Sequence, residues 1–122
     1  MKKILCVEND HITSYLLKKQ IERMGYEMTE SVGTGEEAIE SCRRISPDLV
    51  LMDIKLSGEI DGIEAAEQIS MELKIPVIFV TARTDPGIRQ RAEQIKPVEY
   101  LVKPVEMNLL QKVIHRTLNR VA

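Results

Sequence analysis

The chain has 122 residues, 43% of them apolar and 30% charged, with a net charge of −2. That is one domain's length with enough apolar content for a core, and the charge balance speaks against a direct nucleic-acid binder, as do the absence of Trp and a single Phe. Two cysteines, Cys6 and Cys42, are too few for a disulfide framework and read as small buried thiols in a reducing compartment.

The first element is an apolar run, ILCV (4–7), that stops abruptly at Glu8, Asn9 and Asp10. Four apolar residues behind MKK are too short for a signal-peptide core or a membrane span, so a cytoplasmic location without membrane attachment is expected. Leu17, Ile21 and Met24 then mark a helix that Gly25 ends. EMTESV (27–32) alternates and reads as an edge strand, followed by a helix marked by Ala38, Cys42 and Ile45. LVLM (49–52) precedes a helix with Ile63, Ala66, Ile69 and Leu73. VIFV (77–80) precedes a short one with Ile88, Ala92 and Ile95. YLV (100–102) precedes a last helix with Leu110, Val113, Ile114, Thr117 and Val121. The four continuously apolar runs are those expected of strands covered on both faces.

Repeated βα units with right-handed crossovers predict an α/β fold: a doubly wound five-stranded parallel sheet in the flavodoxin-like order 2-1-3-4-5, with helices on both faces. Ligands of such sheets bind beyond the carboxyl ends of the strands. Glu8 and Asn9, Asp53, Thr81 and Lys103 follow the first, third, fourth and fifth runs and share that rim. Each alone reads equally as a helix cap or a solvated loop residue. Together, carboxylates for a hard cation such as Mg²⁺, a hydroxyl and an ammonium are equipment for phosphoryl chemistry, with Asp53 as a candidate carboxylate nucleophile.

ILCVEN, PDLVLMDIKL, DGIEAA, PVIFVTA and YLVKP together resemble the response-regulator receiver domains of two-component signalling, CheY-like in fold, across essentially the whole chain. The resemblance implies a single receiver domain over residues 1–122 that is a phosphorylated switch, catalysing at most its own phosphorylation and dephosphorylation. Asp53 would accept the phosphoryl group of a sensor histidine kinase. Glu8 and Asn9 would hold Mg²⁺ together with Asp53 and the Lys55 carbonyl. Thr81, the Ala82 N–H and Lys103 would bind the phosphoryl oxygens, and Tyr100 would turn inward as Thr81 shifts to change the surface offered to a downstream partner. It also implies a cis Lys103–Pro104 bond.

The family usually has two acids where this chain has Glu8-Asn9. An amide keeps an oxygen ligand but loses a charge, which weakens cation binding by roughly one to a few kcal/mol at an effective dielectric near 20. The alternative function is therefore a degenerate receiver that binds partners without phosphorylation. Asp10 either caps the first helix or turns to the metal, and His11 reads as a solvated first-turn residue. LSGEIDG places Ser57 where the family often has a proline-containing turn, and Lys96-Pro97 replaces a usual glycine and alanine. Lys55 and Arg83, each two residues beyond a site residue, bear on access of the hydrolytic water.

VGTGEEA, with Gly33-x-Gly35-x-x-Ala38, has the layout of a dinucleotide fingerprint, but Glu36 and Glu37 would repel a pyrophosphate. A dinucleotide-binding module and a flavin protein are the remaining alternatives. Lys112, Arg116 and Arg120 form a basic stripe on the last helix, either a solvated face or a docking or homodimer face, beside an exposed His115.

Overall fold

The computed structural model describes residues 1–119. In chain order the elements are β1 (Lys3–Val7), α1 (His11–Arg23), β2 (Glu27–Val32), α2 (Gly35–Ile45), β3 (Leu49–Met52), α3 (Gly62–Glu72), β4 (Val77–Thr81), α4 (Pro86–Gln94), β5 (Glu99–Val102) and α5 (Met107–Leu118). The strands form one parallel sheet in the order β2-β1-β3-β4-β5, as the βα alternation predicts.

Period-two alternation divides the strand side chains between two cores. Leu5, Val7, Val50, Met52, Val77, Phe79 and Tyr100 face a core closed by Ala38, Ile39 and Cys42 of α2, Ile63, Ala66 and Ile69 of α3, and Ala92 of α4. Ile4, Cys6, Leu49, Leu51, Ile78, Val80 and Leu101 face a second core closed by Leu17 and Ile21 of α1 and Leu110, Val113 and Ile114 of α5. EMTESV is an edge strand, as its alternation predicts. YLV is the other edge: Tyr100 and Leu101 are buried on opposite faces, but Val102 is 38% exposed, so this apolar run is not covered along its whole length.

Helix ends follow side-chain chemistry. Asp10 caps α1, accepting from the Ile12 N–H (3.1 Å) and the Thr13 hydroxyl (2.7 Å). Those bonds hold its carboxyl below the usual aspartate range, the Thr13 hydroxyl first and the Ile12 amide next. Asp61 caps α3 in a reciprocal capping box with Glu64. Gly25, at φ +91°, turns the chain after α1. Both cysteines are buried and unpaired, and burial pushes each thiol up to about 12. Among the described residues, no helix is long and apolar enough to cross a membrane.

Candidate functional site

The parallel register delivers the predicted residues to one rim. Glu8 follows β1, and its N–H donates to the Val32 carbonyl at 2.8 Å. The Asp53 N–H donates to the Val7 carbonyl (3.0 Å) and the Lys103 N–H to the Thr81 carbonyl (2.9 Å). These bonds extend the strand ladders by one residue and fix where each side chain leaves the sheet. Glu8, Asp53 and Thr81 are buried, whereas Asn9, Lys55 and Ala82 are exposed.

The centre of the site is Lys103. Its Nζ donates to Glu8 Oε1 and, at 3.0 Å, to Asp53 Oδ2, residues 95 and 50 positions away in sequence. Each carboxylate spends its other oxygen on a backbone amide: Asp53 Oδ1 accepts from the Ile54 N–H (2.7 Å) and Glu8 Oε2 from the Asp10 N–H (3.1 Å). Burial pulls the Lys103 ammonium toward neutrality, but the hydrogen bonds and charges of Glu8 and Asp53 outweigh it, and the net shift is upward. The Lys103–Pro104 peptide is cis.

A cleft of about 320 Å³ opens beside Asp53, lined by Asn9, Lys55, Thr81, Ala82 and Arg83. Thr81 Oγ1 accepts from the Arg83 N–H at 3.2 Å, which leaves its own proton free to donate into the cleft. Arg83 is held by Asp85, its NH2 lying 3.2 Å from Oδ2. Among the described residues, no three His, Cys, Asp or Glu side chains converge as a metal group. The donor set at the rim is instead two carboxylates, the Asn9 amide and backbone carbonyls. All are hard oxygen donors of the kind Mg²⁺ takes, with one charge fewer than a two-acid pair beside Asp53 would give. Asp10 is the α1 cap, its two oxygens accepting from the Ile12 N–H and the Thr13 hydroxyl.

Tyr100 is 7% exposed, its ring 5.9 Å from that of Phe79 and its hydroxyl donating to the Arg83 carbonyl at 2.6 Å. The Arg89 guanidinium lies 4.5 Å from the ring centroid. The aromatic therefore grips the β4–α4 loop that carries Ala82 and Arg83.

Other sequence features resolve without a role in the cleft. The Gly33–Gly35 turn is no phosphate cradle: Glu37 Oε1 takes the Gly33 N–H (3.3 Å) and the Thr34 hydroxyl (3.0 Å). Gly35 is glycine because a Cβ there would come within 2.7 Å of the Ile60 side chain. The basic stripe is interrupted, since Arg116 lies 3.5 Å from Glu99 of β5 while Lys112 is exposed. Arg120 and Val121 lie outside the described residues. His115 is exposed, 3.4 Å from the Tyr26 hydroxyl.

Three contacts around the site carry no signal in the sequence periodicity. Gly62 is packed against the Asp53–Ile54 backbone, Ser57 lies against Asn9, and Arg91 pairs with Asp61. The Asp-Gly pair opening DGIEAA is the one local hint, as an N-cap followed by a residue without a side chain.

A flavodoxin-like sheet with two acids, a hydroxyl and a lysine at its carboxyl rim defines a class of α/β proteins suited to phosphoryl ligands. The family model of the response regulator receiver domain matches residues 4–115, and the chain belongs to that family. The transcriptional regulatory protein PdtaR of Mycobacterium tuberculosis is 31% identical over 119 residues, covering 98% of this chain and 58% of PdtaR. The chain spans about half the length of the curated relatives it matches first. The signal receiver domain of a modulated diguanylate cyclase from Desulfovibrio desulfuricans superposes with a TM-score of 0.91 at 33% identity, over 97% of this chain and 94% of that one. The receiver domain of the sensor histidine kinase PA1611 from Pseudomonas aeruginosa, with a magnesium ion coordinated in its active site cleft, superposes at 0.87 and 29% identity, over 98% of both chains.

Proposed function

We propose that residues 1–122 act as one cytoplasmic phosphoacceptor unit in which Asp53 takes a phosphoryl group from the phosphohistidine of a sensor histidine kinase. The observation that carries this reading is the ammonium of Lys103 shared between Glu8 and Asp53. A buried carboxylate pair needs a counter-charge, and this ammonium, itself only partly buried, sits where it can turn from Asp53 to an incoming anion.

In the transfer, an Asp53 carboxylate oxygen bonds to phosphorus as the N–P bond breaks, and that bond's electron pair returns to the imidazole nitrogen. The Ile54 amide holds the carboxylate in place. Lys103 pairs with the phosphoryl oxygens, and the free proton of Thr81 donates to them, as does the Ala82 N–H. Glu8, Asn9, Asp53 and the Lys55 carbonyl would hold Mg²⁺, which, when bound, neutralises charge on the transferring group. Thr81 and Tyr100 couple the site to the β4–α4 loop, and thereby to the surface met by a downstream partner.

A specific observation favours a second reading. Asn9 removes a charge from the metal side, so a degenerate receiver would keep this fold and bind its partner without phosphorylation. Incubation with acetyl phosphate and Mg²⁺, followed by intact-mass spectrometry, separates the two. One added phosphoryl group on the wild type and none on Asp53→Asn is the expected result. No adduct at high Mg²⁺ or after incubation with the cognate kinase would sink the phosphoacceptor reading.

A further inference from the structure

Both Asp53 oxygens are taken by protein donors, Oδ1 by the Ile54 N–H and Oδ2 by Lys103, and with the carboxylate so engaged Tyr100 already lies inward. Three groups hold it there: the Phe79 ring, the Arg83 carbonyl and the Arg89 guanidinium. We propose that Arg89 is a positioning residue for Tyr100. Its cation, laid over the ring, keeps the side chain inward whether or not Asp53 carries a phosphoryl group. The consequence for signalling rests on the phosphoacceptor reading above: α4 itself, and not Asp53 alone, sets the surface met by a downstream partner.

The need for such a residue follows from the place of Tyr100 in the sheet. It stands on the edge strand β5, which has β4 as its one neighbour, so the ring depends on α4 for much of its cover. That helix has little apolar surface to give: Ala92 is its one fully buried residue, and Ile88 is only partly buried. Arg89 supplies what those side chains do not, with its guanidinium carbon 4.5 Å from the ring centroid. A planar cation is attracted to the negative face of an aromatic ring and stacks on it while its N–H groups stay solvated. Burial pushes the Tyr100 hydroxyl above its ordinary pKa, and the Arg89 charge is the largest effect pulling it back.

The competing partner of Arg89 is weak. Glu93, one turn along α4, has Oε2 3.8 Å from Arg89 Nε, too far for a hydrogen bond. The ring contact and the hydroxyl bond also support one another. While Arg89 keeps the ring in place, the hydroxyl stays on the Arg83 carbonyl at 2.6 Å, in the residue whose N–H serves Thr81 Oγ1. A ring that swung out would give up both contacts together, so the inward position is strongly favoured and the loss of one contact shifts it by a limited factor.

The test reads the ring directly. The intact chain is labelled with 3-fluorotyrosine, the Tyr100 signal is assigned from Tyr100→Phe, and its fluorine relaxation by a neutral gadolinium chelate measures access from solvent. Tyr15 and Tyr26 serve as internal references for folding. Without phosphodonor, wild-type Tyr100 is expected to be shielded. Arg89→Ala should raise its relaxation about 2–5-fold, the ratio that one partly exposed cation–π contact is worth. Arg89→Lys keeps a cation and restores most of the shielding, and Glu93→Gln leaves it unchanged. Acetyl phosphate with Mg²⁺ should change the wild type little. Equal shielding in wild type and Arg89→Ala, or the same loss in Glu93→Gln as in Arg89→Ala, would overturn the role of Arg89. So would a wild-type ring that is open to solvent until the phosphodonor is added. No phosphoryl adduct by mass, with the donor-free difference between wild type and Arg89→Ala intact, would overturn the phosphoacceptor reading alone.

Discussion

Gly62, the first residue of α3, sits on the backbone of Asp53: a Cβ there would overlap the Asp53 carbonyl oxygen and come within 2.8 Å of Ile54 Cα. The Gly62 N–H donates to the Ile54 carbonyl at 2.8 Å, which locks the approach. Backbone atoms cannot swing aside as a flexible side chain can, so any added methyl must lift α3 or push the end of β3 that carries Asp53. Gly62→Ala is expected to cost about 1–3 kcal/mol by urea unfolding and to slow labelling by acetyl phosphate. An unchanged unfolding midpoint would show that α3 lifts freely.

Lys103 gives a pH signature. Its pKa is lowered by burial and raised by more through Glu8 and Asp53, for a net rise above the ordinary lysine value of 10.5. A folded pKa above the unfolded one means stabilisation that is complete below the unfolded value and lost as pH rises through the folded one. Lys103→Met leaves two buried carboxylates without a counter-charge. It should destabilise by roughly 1–2 kcal/mol near neutrality, discounted for an ammonium still partly in water. The gap between wild type and variant should hold from pH 7 to pH 10 and narrow only above about 10.5. Chemical denaturation at each pH tests this; closure of the gap by pH 8 would assign the stabilisation to another group.

The strands and the rim are readable in the sequence from periodicity and βα alternation, and the strand order from the number of strands, since five suit the flavodoxin-like order. Apolar runs such as LVLM announce strands buried on both faces, and the residue after each run is placed at the rim by topology alone. That is why Glu8, Asn9, Asp53, Thr81 and Lys103 fall together. YLV shows the limit, since an apolar run does not say whether a further strand lies beside it, and Val102 is partly open to solvent. Ser57, Gly62 and Arg91 are not legible as parts of the site because each acts through a partner on another element, and no local pattern encodes such a partner. Arg91 alone looks like any exposed helix charge.

Tyr100→Phe isolates the hydroxyl that holds the β4–α4 loop. The ring keeps its contacts with Phe79 and Arg89, and only the 2.6 Å bond to the Arg83 carbonyl is lost. The expected stability cost is about 0.5–1.5 kcal/mol. The larger effect is local: amides of residues 82–85 should exchange faster with solvent, while those of β3 keep their protection. Equal exchange in wild type and variant would mean that the Arg83–Asp85 pair, not Tyr100, holds the loop.

Arg91 NH1 lies 3.1 Å from Asp61 Oδ2, joining α4 to the N-cap of α3 at the end of the β3–α3 loop. Of the α4 residues only Ala92 is fully buried, with Ile88 and the C-capping Ile95 partly so, which leaves α4 with little packing to fix it. Arg91→Ala removes an exposed pair and should change global stability by less than about 1 kcal/mol, yet it should speed amide exchange in α4 severalfold. Asp61→Ala removes that pair and also the cap that accepts the Glu64 N–H at 2.9 Å, so it should cost about 0.5–2 kcal/mol more than Arg91→Ala. In the double variant, the Arg91 substitution should add nothing once Asp61 is gone, since its partner is the same carboxylate. Full additivity of the two losses would mean that Arg91 steadies α4 through some contact other than Asp61, and would uncouple α4 from the β3–α3 loop.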